Sequence, residues 1–301
     1  MSARPAKLTR DTSWKHEATG LAWISPWVIG FLAFTAGPIV MSLYYSVTDY
    51  SLLEKPVFIG AENYQRLARD EIFVGALKNT LWYAAVSIPL GTIFAIILAA
   101  MLNTRIKARA LFRAAMFIPT LVPIVASAMV WSWLLNGQIG LLNQALGWIG
   151  IKGPDWLGDR HVAMWALILM SVWGAGNAVV IYLAALQDVP TSLYEAADLD
   201  GVTWIGKFWH VTLPMISPVI LFNVITSIIG TLQVFAVPYI MTGGGPDRST
   251  YFFTMYLYDN AFRYLNMGYA SAMAWVQLVI ILALTALTFW LSRKLVFYRS
   301  A

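Results

Sequence analysis

The stretch TSLYEAADLDGVTWIGKFWHVTLPMISP (residues 191–218), termed the insert here, is a polar, helix-forming segment between two long apolar runs. Ser192 and Glu195 have the spacing of a capping box, in which each side chain bonds the backbone N–H of the other residue. Gly201 suits the left-handed position that follows a helix. The pattern therefore predicts a short helix of roughly nine residues, about 13 Å long at about 1.5 Å per residue.

Small side chains occupy one face of this predicted helix. Leu193, Ala196, Ala197 and Asp200 follow the spacing of three and four residues that puts side chains on the same side of a helix. A face of this kind lets the backbone of another protein approach closely. The insert is therefore predicted to contact a partner protein.

The composition is that of an integral membrane protein. Of the 301 residues, 59% are hydrophobic and 12% are charged, whereas soluble domains have about 45–50% and about 25%. The chain has no cysteine and three scattered histidines (His16, His161 and His210), which excludes disulfides and offers no metal cluster. The net charge of +5 comes from short basic clusters beside apolar runs, a placement that sets membrane topology and argues against nucleic-acid binding.

Six apolar stretches are each long enough to cross about 30 Å of hydrocarbon, which takes about 20 helical residues. None of them alternates as a barrel strand does, so each is predicted to be a helix, and the fold class is an all-α polytopic membrane protein. The first stretch exceeds the roughly 7–15 residues of a signal-peptide core and is expected to be a retained anchor. The stretches cover residues 22–47, 79–102, 113–135, 162–186, 215–240 and 268–291.

Lysine and arginine predict the orientation, because short cytoplasmic segments carry an excess of both. The three basic segments contain Arg4, Lys7, Arg10 and Lys15; Arg105, Lys107, Arg109 and Arg113; and Arg293, Lys294 and Arg299. Both termini are therefore expected to be cytoplasmic, and the number of spans puts the insert on the same side, although Lys207 is its only basic residue. The connections 48–78, 136–161 and 241–267 fall outside, where their Gly, Pro, Asn and Asp favour ordered loops that meet another protein.

The expected domain organisation is a single membrane domain. Residues 1–20 form an N-terminal cytoplasmic segment, residues 21–292 the six-helix domain with a cytoplasmic loop at 187–214, and residues 293–301 a cytoplasmic tail. No low-complexity tract, long linker or internal repeat divides the chain.

The fifth stretch carries a polar stripe. Asn223, Thr226, Gly230 and Gln233 recur at helical spacing and share one face, which would be costly against lipid. In one interpretation these residues bond to neighbouring helices, and Gly230 permits close packing. In the other they form a wall of a polar cavity, where hydroxyl and amide groups bond a sugar. The sequence leaves both interpretations open.

Prolines mark places near span ends where a bend can open such a cavity: Pro119, Pro123, Pro214, Pro218 and Pro238.

Residues 201–208, GVTWIGKF, nearly match a phosphate-binding loop, but Phe208 stands where the motif needs Ser or Thr for Mg²⁺, and no strand is predicted before it. An ATPase that drives this protein would therefore lie on another chain. Between their flanking basic clusters the six stretches contain no Asp, Glu, Lys, Arg or His, the groups that ion-coupled carriers use as relays or ligands. Energy is expected to enter from outside the bilayer.

The insert resembles the EAA loop of the permease subunits of ABC importers. The family spacing is followed by Glu195, Ala196, Ala197, Gly201 and then Val211-Thr212-Leu213-Pro214, with Val211 where the family usually has Ile. FIGAENYQRL (58–67) and TGGGPDRST (242–250) are similar to segments of the carbohydrate branch, of the type of the F-type maltose permease and its lactose and glycerol-phosphate relatives. The resemblance extends from about residue 20 to the C-terminus.

This resemblance implies a type I ABC importer transmembrane domain that forms half of a path for a carbohydrate, a glycerol phosphate or another polyol. It implies a second homologous permease, two ATPase subunits that hold ATP and Mg²⁺, and an extracytoplasmic solute-binding protein as partners. This chain itself would bind no cofactor and catalyse no reaction. Coupling to the ATPase is implied for Glu195, Ala196, Ala197, Asp200, Gly201, Leu213 and Pro214, and a place in the sugar path for Thr120, Gly174 and Asn177, with Trp173 as a candidate for stacking on a sugar ring.

Two other classes of protein remain as alternatives. A secondary carrier or channel would work on ion gradients alone, and the charge-free spans and the EAA loop argue against it. A non-transporting membrane scaffold would show no substrate-dependent ATPase activity with its partners. The sequence therefore predicts a multi-pass importer permease in the lipid bilayer of a bacterial or archaeal cytoplasmic membrane, with no nucleic-acid partner.

Overall fold

A computed structural model describes residues 14–104 and 109–297. Within these residues, four helical segments are long and apolar enough to cross a membrane, and two bent pairs of shorter helices bring the number of spans to six when each pair counts as one broken span. The prediction of an all-α polytopic membrane protein with six spans is therefore confirmed.

The six spans account for most of the helices. Span 1 is α1 (Trp14–Phe31), a π-helical segment (Leu32–Ala36) and α2 (Gly37–Ser46); span 2 is α4 (Glu71–Asn103); span 3 is α5 (Arg109–Leu121) with α6 (Ile124–Leu134); span 4 is α8 (Ala163–Trp173) with α9 (Gly176–Gln187); span 5 is α11 (Trp204–Lys207), a π-helical segment (Phe208–Thr212) and α12 (Leu213–Leu232); span 6 is α15 (Met267–Leu295).

Shorter elements connect the spans. They are β1 (Thr48–Asp49), β2 (Val57–Phe58) and α3 (Glu62–Arg69) before span 2; α7 (Leu141–Trp148) before span 4; α10 (Thr191–Leu199) before span 5; and α13 (Ala236–Met241), α14 (Phe253–Tyr258) and a π-helical segment (Asp259–Arg263) before span 6. The two strands pair antiparallel, with Thr48 opposite Phe58.

Spans 3 and 4 are broken where the sequence predicted continuous helices. α5 and α6 meet at 100°, and α8 and α9 meet at 45°. Pro123 is the N-cap of α6, and its ring disfavours helical geometry for the residue before it, which ends α5. At the second break, Gly174 and Ala175 are the C-cap of α8 and the N-cap of α9.

Span 5 also differs from its predicted limits of 215–240. Its helix begins at Trp204 and ends at Leu232, and α13 follows as a separate element. A helix that continued past Leu232 would bring the ring of Pro238 against the carbonyl of Val234, four residues earlier, and would lose that hydrogen bond. The break between Gln233 and Phe235 avoids this clash.

The two ends of the bundle have separate cores, and each end is named after its short helix. At the α14 end, α3 and α14 pack on the starts of α4 and α15, and the buried side chains are Leu67, Phe73, Phe253, Tyr256, Tyr269 and Met273. At the α10 end, α4, α9 and α12 pack together around Ala99, Leu102, Tyr182, Leu186, Val189 and Ile216. Apolar side chains also cover the outside of the bundle, and on span 1 they include Trp23, Trp27 and Phe34, as contact with lipid requires.

Candidate functional site

A cavity of about 500 Å³ lies beside the two helix breaks, and we term it the bend cavity. Thr120, near the end of α5, and Trp173, at the end of α8, both line this cavity. Gly174 and Asn177 extend the lining from the second break into α9. Trp173 is 41% exposed, and its ring meets Trp131 edge-on at 5.7 Å between centroids. The three residues that the resemblance assigned to the sugar path on spans 3 and 4, and the candidate stacking residue Trp173, thus line one cavity.

A second cavity of about 310 Å³, the core cavity, lies between α4, α9 and α12. Ser171, Gly174 and Asn177 line both cavities, so the two adjoin. We refer to them together as the polar compartment. Its remaining polar wall consists of Ser87, Thr92, Tyr182, Asn223, Thr226, Ser227 and Thr231 from the core cavity and Tyr83, Thr120 and Ser127 from the bend cavity.

The polar compartment is lined by neutral groups. Hydroxyl, amide, apolar and aromatic side chains line both cavities, and none of the lining residues is charged. Several hydroxyls donate to their own helix: Thr226 Oγ1 to the carbonyl of Phe222 at 2.9 Å and Thr120 Oγ1 to that of Phe117 at 2.7 Å. Their lone pairs remain free to accept, which suits a ligand that carries many hydroxyl groups.

Two buried hydroxyls in the core cavity lack a hydrogen bond of good geometry to any other group in residues 14–104 and 109–297, although Thr92 lies near that of Tyr182. Ser87 is 7% exposed and Tyr182 is fully buried, and the oxygen of each is unpaired. Because an unpaired buried hydroxyl costs about 1–3 kcal/mol, such groups in native proteins usually bond to water or a ligand. The core cavity therefore offers hydroxyl groups that can bond water or a polar ligand in the middle of the bundle.

Only part of the polar stripe of span 5 lines a cavity. Asn223 and Thr226 line the core cavity, whereas Gly230 and Gln233 are exposed and are not among the residues that line either cavity. Asn223 Nδ2 donates to the carbonyl of Val219 on its own helix at 3.0 Å. For Asn223 and Thr226, these contacts fit the cavity interpretation better than bonding to neighbouring helices.

Sequence reasoning missed several polar residues of the lining: Ser87, Thr92, Ser127, Ser171, Tyr182, Ser227 and Thr231. One signal was present on span 5, because Asn223, Ser227 and Thr231 repeat every four residues and form a second possible stripe. Ser87 and Tyr182 stand alone among apolar neighbours, and only the packing of α4 against α9 brings them to one cavity.

Gly176 holds the broken helices together beside the compartment. A Cβ at this position would lie 2.1 Å from the carbonyl oxygen of Met116 on α5. Only glycine permits that approach without a shift of the backbone, so α5 rests directly on the first turn of α9.

The short helix of the insert has the predicted length and C-terminus. α10 contains 9 residues, and Gly201 has a φ of +68°. The N–H of Val202 bonds the carbonyl of Ala197 at 2.9 Å, and that of Gly201 bonds the carbonyl of Asp198 at 3.1 Å. These two bonds form a Schellman motif, which confirms the predicted glycine stop.

The predicted capping box is wrong. α10 begins at Thr191 with Pro190 as its N-cap and no side-chain cap bond, so Ser192 is already the second helical residue. Pro190 has an extended backbone, with φ −58° and ψ 130°, and its fixed φ suits a helix start. Glu195 is exposed, and its carboxylate is not used to cap the helix.

The exposed face of α10 also differs from the predicted one. Ala197 is 8% exposed and faces the body of the chain together with Tyr194. Tyr194 joins its hydroxyl to Thr212 Oγ1 at 2.9 Å, which ties α10 to the start of α12, where Leu213 and Pro214 are half-buried. Leu193, Glu195, Ala196, Leu199 and Asp200 are exposed.

Large apolar side chains extend this exposed surface beyond α10. Leu199 is 91% exposed, Trp204 is 77% exposed and Trp209 is 59% exposed. An ion pair between Lys207 and Asp198 connects α10 to α11 beside them. An apolar surface with polar residues around it marks a contact with another protein or with the membrane.

Comparison with known proteins relates this architecture to transport. The family described as "Binding-protein-dependent transport system inner membrane component" matches residues 87–297. The chain is 38% identical to the probable ABC transporter permease protein YesP of Bacillus subtilis (strain 168), over 95% of this chain and 94% of that protein. It is 36% identical to the lactose transport system permease protein LacF of Rhizobium radiobacter, over 93% of this chain and 95% of that protein.

A solved structure has the same fold. It is that of a bacterial ABC transporter involved in the import of the acidic polysaccharide alginate, and one of its chains superposes with a TM-score of 0.81 at 25% identity. The superposition covers 93% of this chain and 96% of that chain.

Proposed function

Because the chain belongs to the family of binding-protein-dependent transport system inner membrane components, we propose that it is one of two permease subunits of an ATP-driven importer for a neutral carbohydrate or polyol. It is an integral, multi-pass membrane protein of the ABC permease type. The proposal adds the substrate class, the other subunits and the roles of the two sites.

The observation that carries the proposal is the charge-free polar compartment. Its hydroxyl and amide groups supply both hydrogen-bond acceptors and donors, and Trp173 presents an aromatic face. A glycerol phosphate or an acidic sugar would need a cationic partner for its anion, and the residues that line the two cavities include none. The compartment therefore favours a neutral sugar, in agreement with the lactose transport named for one relative.

The compartment forms half of the path. Trp173, Gly174 and Asn177 line it and are also exposed, so this side is open in the single chain. A second, homologous permease would close it. The family is binding-protein-dependent, and an extracytoplasmic solute-binding protein would deliver sugar to the α14 end.

The α10 surface is the proposed contact with the ATPase subunits, which would hold ATP and Mg²⁺. Glu195, Ala196 and Leu199 would enter their surface, and Asp200 and Gly201 would end the helix at the contact. Because Tyr194 bonds Thr212 beside Leu213 and Pro214, closure of the ATPase would move α10 together with α12, which lines the core cavity. The population of inward-facing and outward-facing states would shift accordingly.

The basic segments support an orientation with the α10 end in the cytoplasm and the α14 end outside. Reporters fused after residue 300 or within residues 105–109 are expected to read cytoplasm, and one near Gly244 is expected to read the outer side. A cytoplasmic signal near Gly244 would contradict this orientation and the contact of α10 with the ATPase.

Asn177→Ala tests the sugar path, because Asn177 lines both cavities. In the reconstituted importer the variant is expected to weaken sugar affinity up to about tenfold, since a lost hydrogen bond costs about 0.5–1.5 kcal/mol net. Assembly and basal ATPase activity should persist. Gln233→Ala is the matched control, because Gln233 lies outside the lining of both cavities. Unchanged sugar affinity in Asn177→Ala, or uptake on an ion gradient without ATP, would contradict the proposal.

Glu195→Gln tests the coupling contact. The change removes a charge but keeps size and helix propensity, and Glu195 has no role in capping. Sugar-stimulated ATP hydrolysis and transport are expected to fall together. If both rates stayed at the parent level, the charge of Glu195 would have no part in coupling.

A further inference from the structure

A second kind of cleft lies outside the polar compartment. At the α10 end, α4, α5 and α9 enclose about 400 Å³ between Leu102, Phe117, Val179 and Leu183. Two polar side chains, Arg113 and Gln187, complete the lining. The proposed path of the sugar makes no use of this cleft.

The polar groups lie at one end of this cleft. α5 begins at Arg109 and α9 ends at Gln187, so Arg113 and Gln187 are both near the α10 end of the bundle. Phe117 lies about 6 Å deeper along α5, and Val179 lies about 12 Å deeper along α9, at about 1.5 Å per residue. The mouth of the cleft is therefore polar and its interior is apolar, which matches a ligand with a polar head and an apolar tail.

Arg113 has no anion within the part of the chain that the structure describes. Its Nε is buried without a hydrogen-bond partner, and neither ion pair of residues 14–104 and 109–297 includes it. A guanidinium keeps its charge at physiological pH, and an unpaired charge beside apolar walls in a membrane is costly. A partner from outside the chain would remove that cost.

We propose that the cleft binds an anionic phospholipid from the leaflet at the α10 end, with its phosphate on Arg113 and Gln187 and an acyl chain between Phe117, Val179 and Leu183. Guanidinium and phosphate form paired, charge-assisted hydrogen bonds, and basic pockets between membrane helices bind anionic head groups. A carboxylate from a second permease could pair with Arg113, but it would leave the apolar depth unfilled. The bound lipid spans α5 and α9, which also frame the bend cavity.

Native mass spectrometry of the full chain tests the proposal. The purified protein is titrated with phosphatidylglycerol or phosphatidylcholine of identical acyl chains. The parent retains phosphatidylglycerol preferentially, and Arg113→Gln reduces that preference about fivefold, the effect expected for one phosphate contact. Arg293→Gln is the matched control, because Arg293 is exposed in the last turn of α15 at the same end, and it keeps the parent preference.

A second variant fills the cleft and leaves the charge in place. Ala184 is exposed and lines the cleft, so Ala184→Phe is expected to reduce retention of both lipids, whereas Ala283→Phe on the exposed face of α15 is not. Unfolding curves verify that each variant is folded. Equal loss in Arg113→Gln and Arg293→Gln would indicate a general charge effect and overturn the proposal. Equal lipid retention by the parent and Arg113→Gln in the assembled importer would indicate pairing with the second permease and would also overturn it.

Discussion

The two ends of the bundle differ in how their polar groups are hydrogen-bonded and how their apolar side chains are covered. At the α14 end, the carboxylate of Asp70 accepts hydrogen bonds from the hydroxyls of Tyr256 and Tyr269, both at 2.5 Å, and from the N–H groups of Ile72 and Phe73. These bonds join residues that are up to 199 positions apart. The α14 end is closed by its own chain.

The same pattern recurs in the loop that precedes α14. Asn79 Nδ2 donates to the carbonyls of Arg248 at 2.8 Å and Tyr251 at 3.1 Å. The N–H of Phe253 donates to Thr80 Oγ1 at 2.9 Å. Polar side chains of α4 thus hold the loop that precedes α14 in place.

At the α10 end the chain leaves its apolar groups uncovered. Leu199, Trp204 and Trp209 are mostly exposed, and the links of α10 to the bundle are few: Tyr194 with Thr212, and Lys207 with Asp198. Apolar side chains are also exposed at the α14 end, Leu53 and Phe58 among them, so the comparison teaches that the two ends differ in how firmly their short helices are tied to the bundle. Substitutions should therefore affect stability at the α14 end and assembly or coupling at the α10 end.

The largest effect on stability is expected for Asp70→Ala. The variant removes the acceptor of two tyrosine hydroxyls and the N-cap of α4, and hydrogen bonds to a charged group contribute about 1.5–3 kcal/mol each. A loss of at least about 3 kcal/mol in the free energy of unfolding is expected. Thermal unfolding in detergent, followed by tryptophan fluorescence, measures it.

Glu71→Ala is the control for this change, because Glu71 is adjacent and exposed. Its effect should stay within about 0.5 kcal/mol. If Asp70→Ala unfolded at the same temperature as Glu71→Ala, the α14 end would not be closed by these bonds, and the contrast between the two ends would fail.

Leu199→Asp is expected to have the opposite profile. The side chain is 91% exposed, so the free energy of unfolding should change by less than about 0.5 kcal/mol. Association with the ATPase subunits should weaken about tenfold or more, because a carboxylate would be buried without a partner in the contact. Co-purification with the ATPase subunits measures the effect.

Leu53→Asp provides the matched control at the other end, since Leu53 is 81% exposed in the connection between β1 and β2. This variant should bind the ATPase subunits as the parent does. A similar loss in both variants would show a general effect of added charge and not a contact on α10.

The spans could be predicted from the sequence because length and hydropathy alone decide whether a helix crosses the membrane. The break in span 3 has a local signal in Pro123, but the break in span 4 could not be predicted, because it depends on contacts between spans. Gly176 shows this: its close approach to Met116 joins α5 to α9, and no local pattern distinguishes it from the many glycines of membrane helices. The glycine stop after α10 was predictable because the left-handed conformation of Gly201 is a local requirement.

The polar wall was only partly predictable for a related reason. Helical spacing groups Asn223 with Gly230 and Gln233 as readily as with Ser227 and Thr231, and only the rotation of α12 against α4 and α9 selects the second set. The capping-box prediction was wrong although Ser192 and Glu195 have the required spacing, because Pro190 is the N-cap and the helix starts two residues earlier than predicted.

A smaller effect is expected from pH at the α14 end. Burial alone would raise the pKa of Asp70, but the hydrogen bonds from Tyr256, Tyr269 and the backbone outweigh it and hold the pKa below its ordinary value of 3.8. The folded pKa is thus lower than the unfolded one, so the stability is present above the unfolded pKa and is lost as the pH falls below about 4. Asp70→Asn should lose less stability than the parent between pH 5 and pH 3. Parallel stability curves would contradict the role of the charge.

The smallest effect is expected for Ser192→Ala, and it sharpens the account of the α10 end. A capping serine contributes about 0.5–2 kcal/mol, but Ser192 is an exposed second residue of a helix whose N-cap is Pro190. The variant should therefore match the parent in the free energy of unfolding to within about 0.5 kcal/mol. Gly201→Val serves as the positive comparison, because a β-branched residue opposes the left-handed backbone of Gly201. A loss in Ser192→Ala comparable to that in Gly201→Val would restore the capping box and would reassign Glu195 from the proposed ATPase contact to the helix start.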